Sequence, residues 1–312
     1  MAFEPKNEAF AGKIRQVTIG TGEQAITLGG QSVLPFYTFD GEIPNAPKIG
    51  IEVSDNLAGW DVPGLATLYD GCTTMAQRAV KAAQVEGVEF LCLRFAAADP
   101  NGEDRPVEAC VADAKAVAEA VKLPLTVMGC GNLVKDGVLL PAIAQALEGR
   151  NILVMSVKNE DYHTLGPTVA KMGHKLCAET ADDINLAKQL NIMLRGAGVP
   201  QDSLVMNIGT AAVGYGYDYV ASIFDRIRDG ALKQCDEDLQ MPIIAPVSTE
   251  TWAVKESTAT QQDEPAWGDR EERGISMEIA TAAANLTGGA DAVILRHPGA
   301  IAAIRQFIAQ LM

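Results

Sequence analysis

Cysteine is sparse and scattered in this chain. The six cysteines, Cys72, Cys92, Cys110, Cys130, Cys177 and Cys235, form no C-x-x-C pair, whereas zinc sites and iron–sulfur clusters usually show at least one close pair. No metal cluster held by this chain alone is expected, and the spacing suggests no disulfide framework. Three cysteines fall in or at the end of apolar runs, where a thiol serves as a small buried hydrophobe. Histidine is scarcer still, with 3 in 312 residues, and no His/Asp cluster offers a metal site. G-x-S-x-G, a P-loop and nucleophile-plus-base spacing are all absent. There is no apolar run of about eighteen residues, so no transmembrane span is expected. The start, MAFEPKNEAF, lacks the basic and apolar stretches of a signal peptide, which makes the cytoplasm the expected location. Basic residues are outnumbered 25 to 40, for a net charge of −15. That balance repels nucleic acid and suits a basic partner protein.

What is abundant is a repeated unit. Eight apolar runs each end in a small or polar residue and lead into a helical stretch: KIGIEV (48–53), VEFLCLRF (88–95), PLTVMGC (124–130), NILVMSV (151–157), HKLCA (174–178), SLVMNIG (203–209), MPIIAP (241–246) and DAVILR (291–296). With 48% apolar residues, the chain can fill a core. The pattern predicts an α/β fold, a (β/α)₈ TIM barrel over 48–312, preceded by an extension over 1–47. The extension reads as a β-hairpin turning at Thr21-Gly22-Glu23-Gln24 and is expected to cover the N-terminal end of the barrel. Helices are expected over 75–87, 106–122, 141–149, 162–173, 181–198, 219–230, 270–288 and 300–312. Pro106 and Pro141 are placed in first turns, and Gly87, Gly149, Gly173, Gly198, Gly230 and Gly288 at C-caps. Two long loops, 54–74 and 247–270, carry all three tryptophans, Trp60, Trp252 and Trp267. With aromatics at only 5%, that concentration points either to a partner or large flat ligand, or to anchors that hold the loops down.

A barrel of this kind binds its ligand at the C-terminal strand ends. Asp55 suits a ligand amide or a turn cap. Arg94 suits an ion pair at the barrel mouth or a ligand contact. Gly129-Cys130-Gly131-Asn132 allows close backbone approach and offers a side-chain amide. Asn159 reads as a helix cap followed by acids, and Thr180 as a cap before Ala181-Asp182-Asp183. Asn207, Gly209, Thr210, Gly214 and Tyr215 form a small, backbone-rich turn. Ser248, Thr249 and Glu250 lie in the polar seventh loop. His297 opens the last helix, as an anion site or as a cap.

Several segments resemble a known family. They are VTIGTGEQAITLGGQSVLPFY with PKIGIEVSD, GVEFLCLRFAAADPNG, PLTVMGCGN, NIGTAAVGYGYDYVASIFDRIR, MPIIAPVSTETWAVKES with PAWGDREERGISMEIATAA, and GADAVILRHPGAI. Together they are similar to the small subunit of the corrinoid iron–sulfur protein, the delta subunit of the acetyl-CoA decarbonylase/synthase complex. The resemblance implies a barrel that pairs with a large subunit bearing a [4Fe–4S] cluster and a corrinoid-binding domain. A corrinoid (cobalamin) would lie at their interface, capped by the top of this barrel. It would take a methyl group from methyltetrahydrofolate through a separate methyltransferase and pass it to CO dehydrogenase/acetyl-CoA synthase, in the Wood–Ljungdahl pathway of anaerobes. The chain would then be a carrier subunit with no catalytic residues of its own, and the strand-end residues named above would face the corrin. The competing reading is a stand-alone pterin-binding barrel methyltransferase using Asp55, Asn132 and Asn207. A third is a pure scaffold.

Overall fold

A computed structural model describes residues 7–181 and 183–312. Residues 1–6, part of the MAFEPKNEAF start that lacks signal-peptide features, and Asp182 lie outside them. Eight parallel strands form one sheet: β3 (Lys48–Ser54), β4 (Phe90–Arg94), β5 (Leu125–Met128), β6 (Leu153–Val157), β7 (Lys175–Glu179), β8 (Leu204–Asn207), β9 (Ile244–Ala245) and β10 (Ala292–Leu295). β10 pairs with β3 on one side and β9 on the other. A parallel bridge between Met206 and Ile243 then joins β8 to the β9 run and closes the ring. Each strand alternates between two apolar surroundings, because the inside of the barrel and the helices outside are both dry. Phe90, Cys92, Leu153, Met155, Cys177, Val205, Ile244 and Ile294 fill the interior. The hairpin β1 (Val17–Ile19) and β2 (Ile26–Leu28) adds Val17, Ile19, Ile26 and Leu28 to the same cluster. It plugs the N-terminal end of the barrel, fastened by Asn151, whose carbonyl accepts from Gly20 N–H and whose amide donates to Thr18 O.

The outer layer comprises α1 (Pro63–Leu68), α2 (Met75–Ala82), α3 (Val107–Ala120), α4 (Leu133–Ala146), α5 (Leu165–Lys171), α6 (Ile184–Gly196), α7 (Tyr217–Leu232), α8 (Val247–Thr251), α9 (Lys255–Thr258), α10 (Arg270–Gly288) and α11 (Pro298–Leu311). Five local differences from the sequence reading stand out. α4 begins at Leu133, so Pro141 lies inside the helix and not in its first turn. The start is fixed by Asn132, whose side chain accepts from Lys135 N–H. Asp161 accepts from Lys158 N–H and organises the turn that was assigned to Asn159, and α5 starts only at Leu165. Asp183, not Thr180, caps α6, through the N–H groups of Asn185 and Leu186. The seventh loop is largely helical, holding α8, α9 and a short turn at Pro265–Trp267. Among the six cap glycines, Gly230 and Gly288 sit inside α7 and α10, and Gly289 takes the left-handed position after α10.

A buried ion pair locks the closing seam. Arg228 on α7 reaches Asp291, just before β10, at 2.6 Å and donates also to Met241 O and Gly289 O. Asp291 accepts from Gln31 of the extension at 2.7 Å and from Ile243 N–H at 2.8 Å. One carboxylate thus ties the extension, the β9 run and β10 together.

Candidate functional site

The strands converge on a cavity of about 280 Å³ at their C-terminal ends. Six of the residues expected to face a ligand line it: Arg94, Gly129, Gly131, Asn207, Thr249 and Glu250. Eight do not, and the structure says why for several of them. Asp55 points inward, its carboxylate fully buried, accepting from Ala97 N–H at 2.9 Å and 3.5 Å from Arg105. Burial pushes its carboxyl above the usual carboxylate range, against those partners. Asn132 is spent on capping α4. His297 is no anion site, because both ring nitrogens are engaged. Nδ1 accepts from Gly299 N–H at 3.0 Å, which leaves the proton on Nε2, 3.0 Å from Glu271. Ser248 is fully buried beside Glu52. Gly209 turns back on Asn207, donating to its Oδ1 at 3.2 Å. Thr210 is buried in the turn after β8, and its hydroxyl has no partner among the described residues. Gly214 and Tyr215 are exposed on the following loop, where Tyr215 Oη donates to Glu256.

The two readings of the tryptophans divide. Trp60 and Trp252 are anchors, 7% and 6% exposed. The Arg296 guanidinium lies over both rings, 4.3 Å from one centroid and 5.8 Å from the other. Only Trp267 is open, at 37%.

Several site residues escaped the sequence reading. Glu52 on β3 is buried between Arg94, at 3.3 Å, and Arg296, at 3.2 Å. Burial raises its pKa, but the Arg296 and Arg94 guanidiniums prevail and hold it below the usual range. It is thus a fixed anion that aims Arg94 at the mouth. Its signal was a lone acid in an apolar strand beside a strand carrying an arginine. Lys158 lines the cavity paired with Glu179 at 3.1 Å. Burial would lower its pKa, yet Glu179 keeps it above the ordinary lysine value. Asp136 reaches back from α4 and accepts from the N–H groups of Cys130 and Gly131, at 2.9 and 2.8 Å. It occupies the backbone concavity that Gly129-Cys130-Gly131 had offered to a ligand. The Cys130 thiol donates to the same carboxylate at 3.2 Å, and burial, with help from Asp136, pushes its pKa up to about 11. Cys130 is therefore a cavity-lining neutral thiol, where Cys92 and Cys177 are interior filler.

The mouth is well supplied with hydrogen-bonding groups and poor in reactive ones. Its two cations, Arg94 and Lys158, are each held by a carboxylate, Asp136 is taken up by the Cys130–Gly131 turn, and the thiol is protonated, so no activated nucleophile stands beside a base among the lining residues. Around it, Leu57, Leu133, Val134, Leu186, Tyr215 and Tyr219 are exposed at the β3–α1 loop, at the N-terminal ends of α4 and α6, and at and just before the N-terminal end of α7. That ring of exposed apolar side chains lies at the end of the barrel on which the cavity opens.

The sequence matches the CO dehydrogenase/acetyl-CoA synthase delta subunit over residues 16–303. The chain belongs to that delta-subunit family. It is 35% identical to the acetyl-CoA decarbonylase/synthase complex subunit delta of Archaeoglobus fulgidus, in an alignment taking in 97% of this chain and 70% of that one. It is 30% identical to subunit delta 2 of Methanosarcina acetivorans, over 97% of this chain and 72% of the relative. In fold, the delta-subunit barrel is similar to the dihydropteroate synthase of Xanthomonas albilineans, with a TM-score of 0.59 at 13% identity, covering 95% of this chain and 98% of the other. It is equally similar to the 7,8-dihydropteroate synthase of Vibrio fischeri, with a TM-score of 0.59 at 10% identity over 94% and 97%. At such identities the likeness is one of architecture. Among the described residues, no helix is long and apolar enough to cross a membrane, and no group of three or more His, Cys, Asp or Glu side chains could hold a metal ion.

Proposed function

We propose that the C-terminal face of this barrel covers a corrinoid carried by a large partner subunit, as part of the acetyl-CoA decarbonylase/synthase complex. The observation that carries this reading is a mouth that can hold a flat, amide-bearing ligand and has no catalytic pair of its own. Arg94, Asn207, Thr249 and Glu250 offer side-chain donors and acceptors around one cavity. Gly131 and Gly214 open onto empty space where a side chain would stand, so a large ring can approach the backbone closely.

When bound, the corrinoid supplies the cobalt that takes up a methyl group and hands it on; the protein supplies position and surroundings. Within this chain, Glu52 fixes Arg94, Glu179 fixes Lys158, and Asp136 fixes the Cys130–Gly131 turn, so the mouth is preorganised. The apolar ring excludes water from what it covers. Keeping Cys130 as a thiol matters here, since a thiolate is a methyl acceptor. In this assignment the donor is methyltetrahydrofolate through a separate methyltransferase, the acceptor is CO dehydrogenase/acetyl-CoA synthase, and the [4Fe–4S] cluster belongs to the large subunit. The cover must move aside for each transfer, a gating role.

The stand-alone methyltransferase loses support, because Asp55 and Asn132 are consumed by internal bonds and only Asn207 of its three residues reaches the cavity. The test is the visible spectrum of the chain purified alone and together with the large subunit. Corrinoid absorbance only in the pair is expected. Methyl transfer from methyltetrahydrofolate to free cobalamin by this chain alone would instead establish the enzyme. Gly214→Trp in the pair should release corrinoid, and undiminished cobalamin content would refute the placement.

A further inference from the structure

We propose that a groove between the loop after β8 and helix α10 receives an amphipathic helix with basic flanks from another subunit of the assembly. The groove is broad and open, with a volume of about 730 Å³, and its apolar lining is Val213, Trp267, Met277 and Ala280. It shares no lining residue with the cavity at the barrel mouth, so it goes beyond the corrinoid reading. Arg273, Ser276, Met277 and Ala280 follow the i, i+3, i+4, i+7 spacing of one helix face, which gives the groove a length of roughly 10 Å along α10. A helix laid against it can insert two apolar residues one turn apart, as helix-in-groove complexes do.

The aromatic floor is held in place before any partner arrives. Lys255 lies 5.1 Å and Arg273 5.5 Å from the Trp267 ring centroid. Tyr215 bonds Glu256, and Arg273 bonds the carbonyls of Glu256 and Ala259, which pins the two walls to one another. A large apolar side chain that is exposed yet already ordered loses little freedom on binding, and that is the property of an anchor residue. The other two tryptophans are buried anchors of their loops, and Trp267 alone is committed to the surface.

Charge selects the occupant. Of the two cations beside the ring, Lys255 is paired with Glu264 at 2.6 Å, while Arg273 keeps its charge, donates to the carbonyls of Glu256 and Ala259, and is outnumbered in the lining by Glu256, Asp269 and Glu272. Asp269 and Glu272 remain on the rim, exposed and acidic, in a chain of net charge −15. Such a rim repels a second copy of this chain and an anionic membrane, and attracts lysines or arginines flanking an apolar stripe.

The test uses purified remaining subunits of the complex, added one at a time to wild-type chain and to Met277→Asp and Glu272→Lys variants. Affinity is read at low and moderate salt, and hydrogen exchange is followed over 255–280. One subunit is expected to protect that stretch. Met277→Asp should weaken its binding roughly tenfold or more by placing a charge on the floor. Glu272→Lys should weaken it several-fold and flatten its salt dependence. Corrinoid absorbance of the pair should stay unchanged in both. Glu272 is exposed, so its variant decides the matter if Met277→Asp fails to fold. Undiminished binding by Glu272→Lys with unchanged salt dependence would overturn the proposal. So would loss of corrinoid in step with loss of binding, or sedimentation showing that the variants abolish only self-association.

Discussion

Replacing Arg228 with methionine should destabilise the barrel far more than the loss of one surface charge would. The guanidinium is 2% exposed and the Asp291 carboxylate 6%. In Arg228→Met the carboxylate keeps only two neutral donors, Gln31 Nε2 and Ile243 N–H, and the carbonyls of Gly289 and Met241 lose theirs. Breaking a buried pair from one side costs about 3–5 kcal/mol, because the remaining charge is left uncompensated. For a chain of this length each kcal/mol corresponds to about 1.5 °C, so the melting temperature should fall by roughly 5–8 °C. Adding Asp291→Asn removes the stranded charge while keeping an acceptor, and should restore more than half of the loss. Thermal melts and urea titrations of the two variants measure this. A single variant within about 1 kcal/mol of wild type, or a double variant no better than the single, would refute the assignment of this pair as the clasp of the seam.

Glu278 supplies a pH dependence. It is buried, it accepts from Arg296 and His297 N–H, and burial outweighs those bonds to raise its pKa to about 7. Its folded-state pKa lies above its unfolded value, so its contribution is full at low pH and is lost as pH rises from about 4.5 through about 7. Relative to Glu278→Gln, wild type should lose on the order of 3 kcal/mol across that window, and parallel urea-stability curves from pH 5 to 8 would rule this out. Asp136→Ala frees the N–H groups of Cys130 and Gly131, should cost about 2 kcal/mol, and should speed alkylation of Cys130 at pH 8; unchanged alkylation would mean that the thiol is guarded by burial alone. Glu271→Ala removes the acceptor shared by Gly64 N–H and His297 Nε2, so hydrogen exchange should rise over 61–70 and not over the opposite side of the barrel.

Much of the architecture was legible because strand periodicity and helix termini are local. All eight apolar runs became the strands or strand remnants of the ring, and α10 spans Arg270–Gly288 as its pattern implied. Where reading failed, a non-local partner decided the outcome. Asp55 looked available in the chain and is consumed by Arg105 and Ala97, some fifty and forty residues away. The Gly129-Cys130-Gly131 turn looked like a ligand cradle and is filled by Asp136, which reaches back from the following helix. Pro141 looked like a helix start because the true cap, Asn132, had been set aside for a ligand. Glu52 and Lys158 were missed because their roles depend on pairing across neighbouring strands. Trp60 and Trp252 were indistinguishable from Trp267 in sequence, since what separates them is Arg296 lying over the first two rings.

The central claim is that the C-terminal mouth is the covered face. Hydroxyl-radical footprinting of the chain paired with its large subunit, with and without corrinoid, tests it most directly. Corrinoid-dependent protection of Met128, Cys130 and Tyr215, with none at the N-terminal plug residues Thr18 and Thr27, is the predicted result. Protection that ignores the corrinoid, or that appears at the plug and not at the mouth, would contradict it.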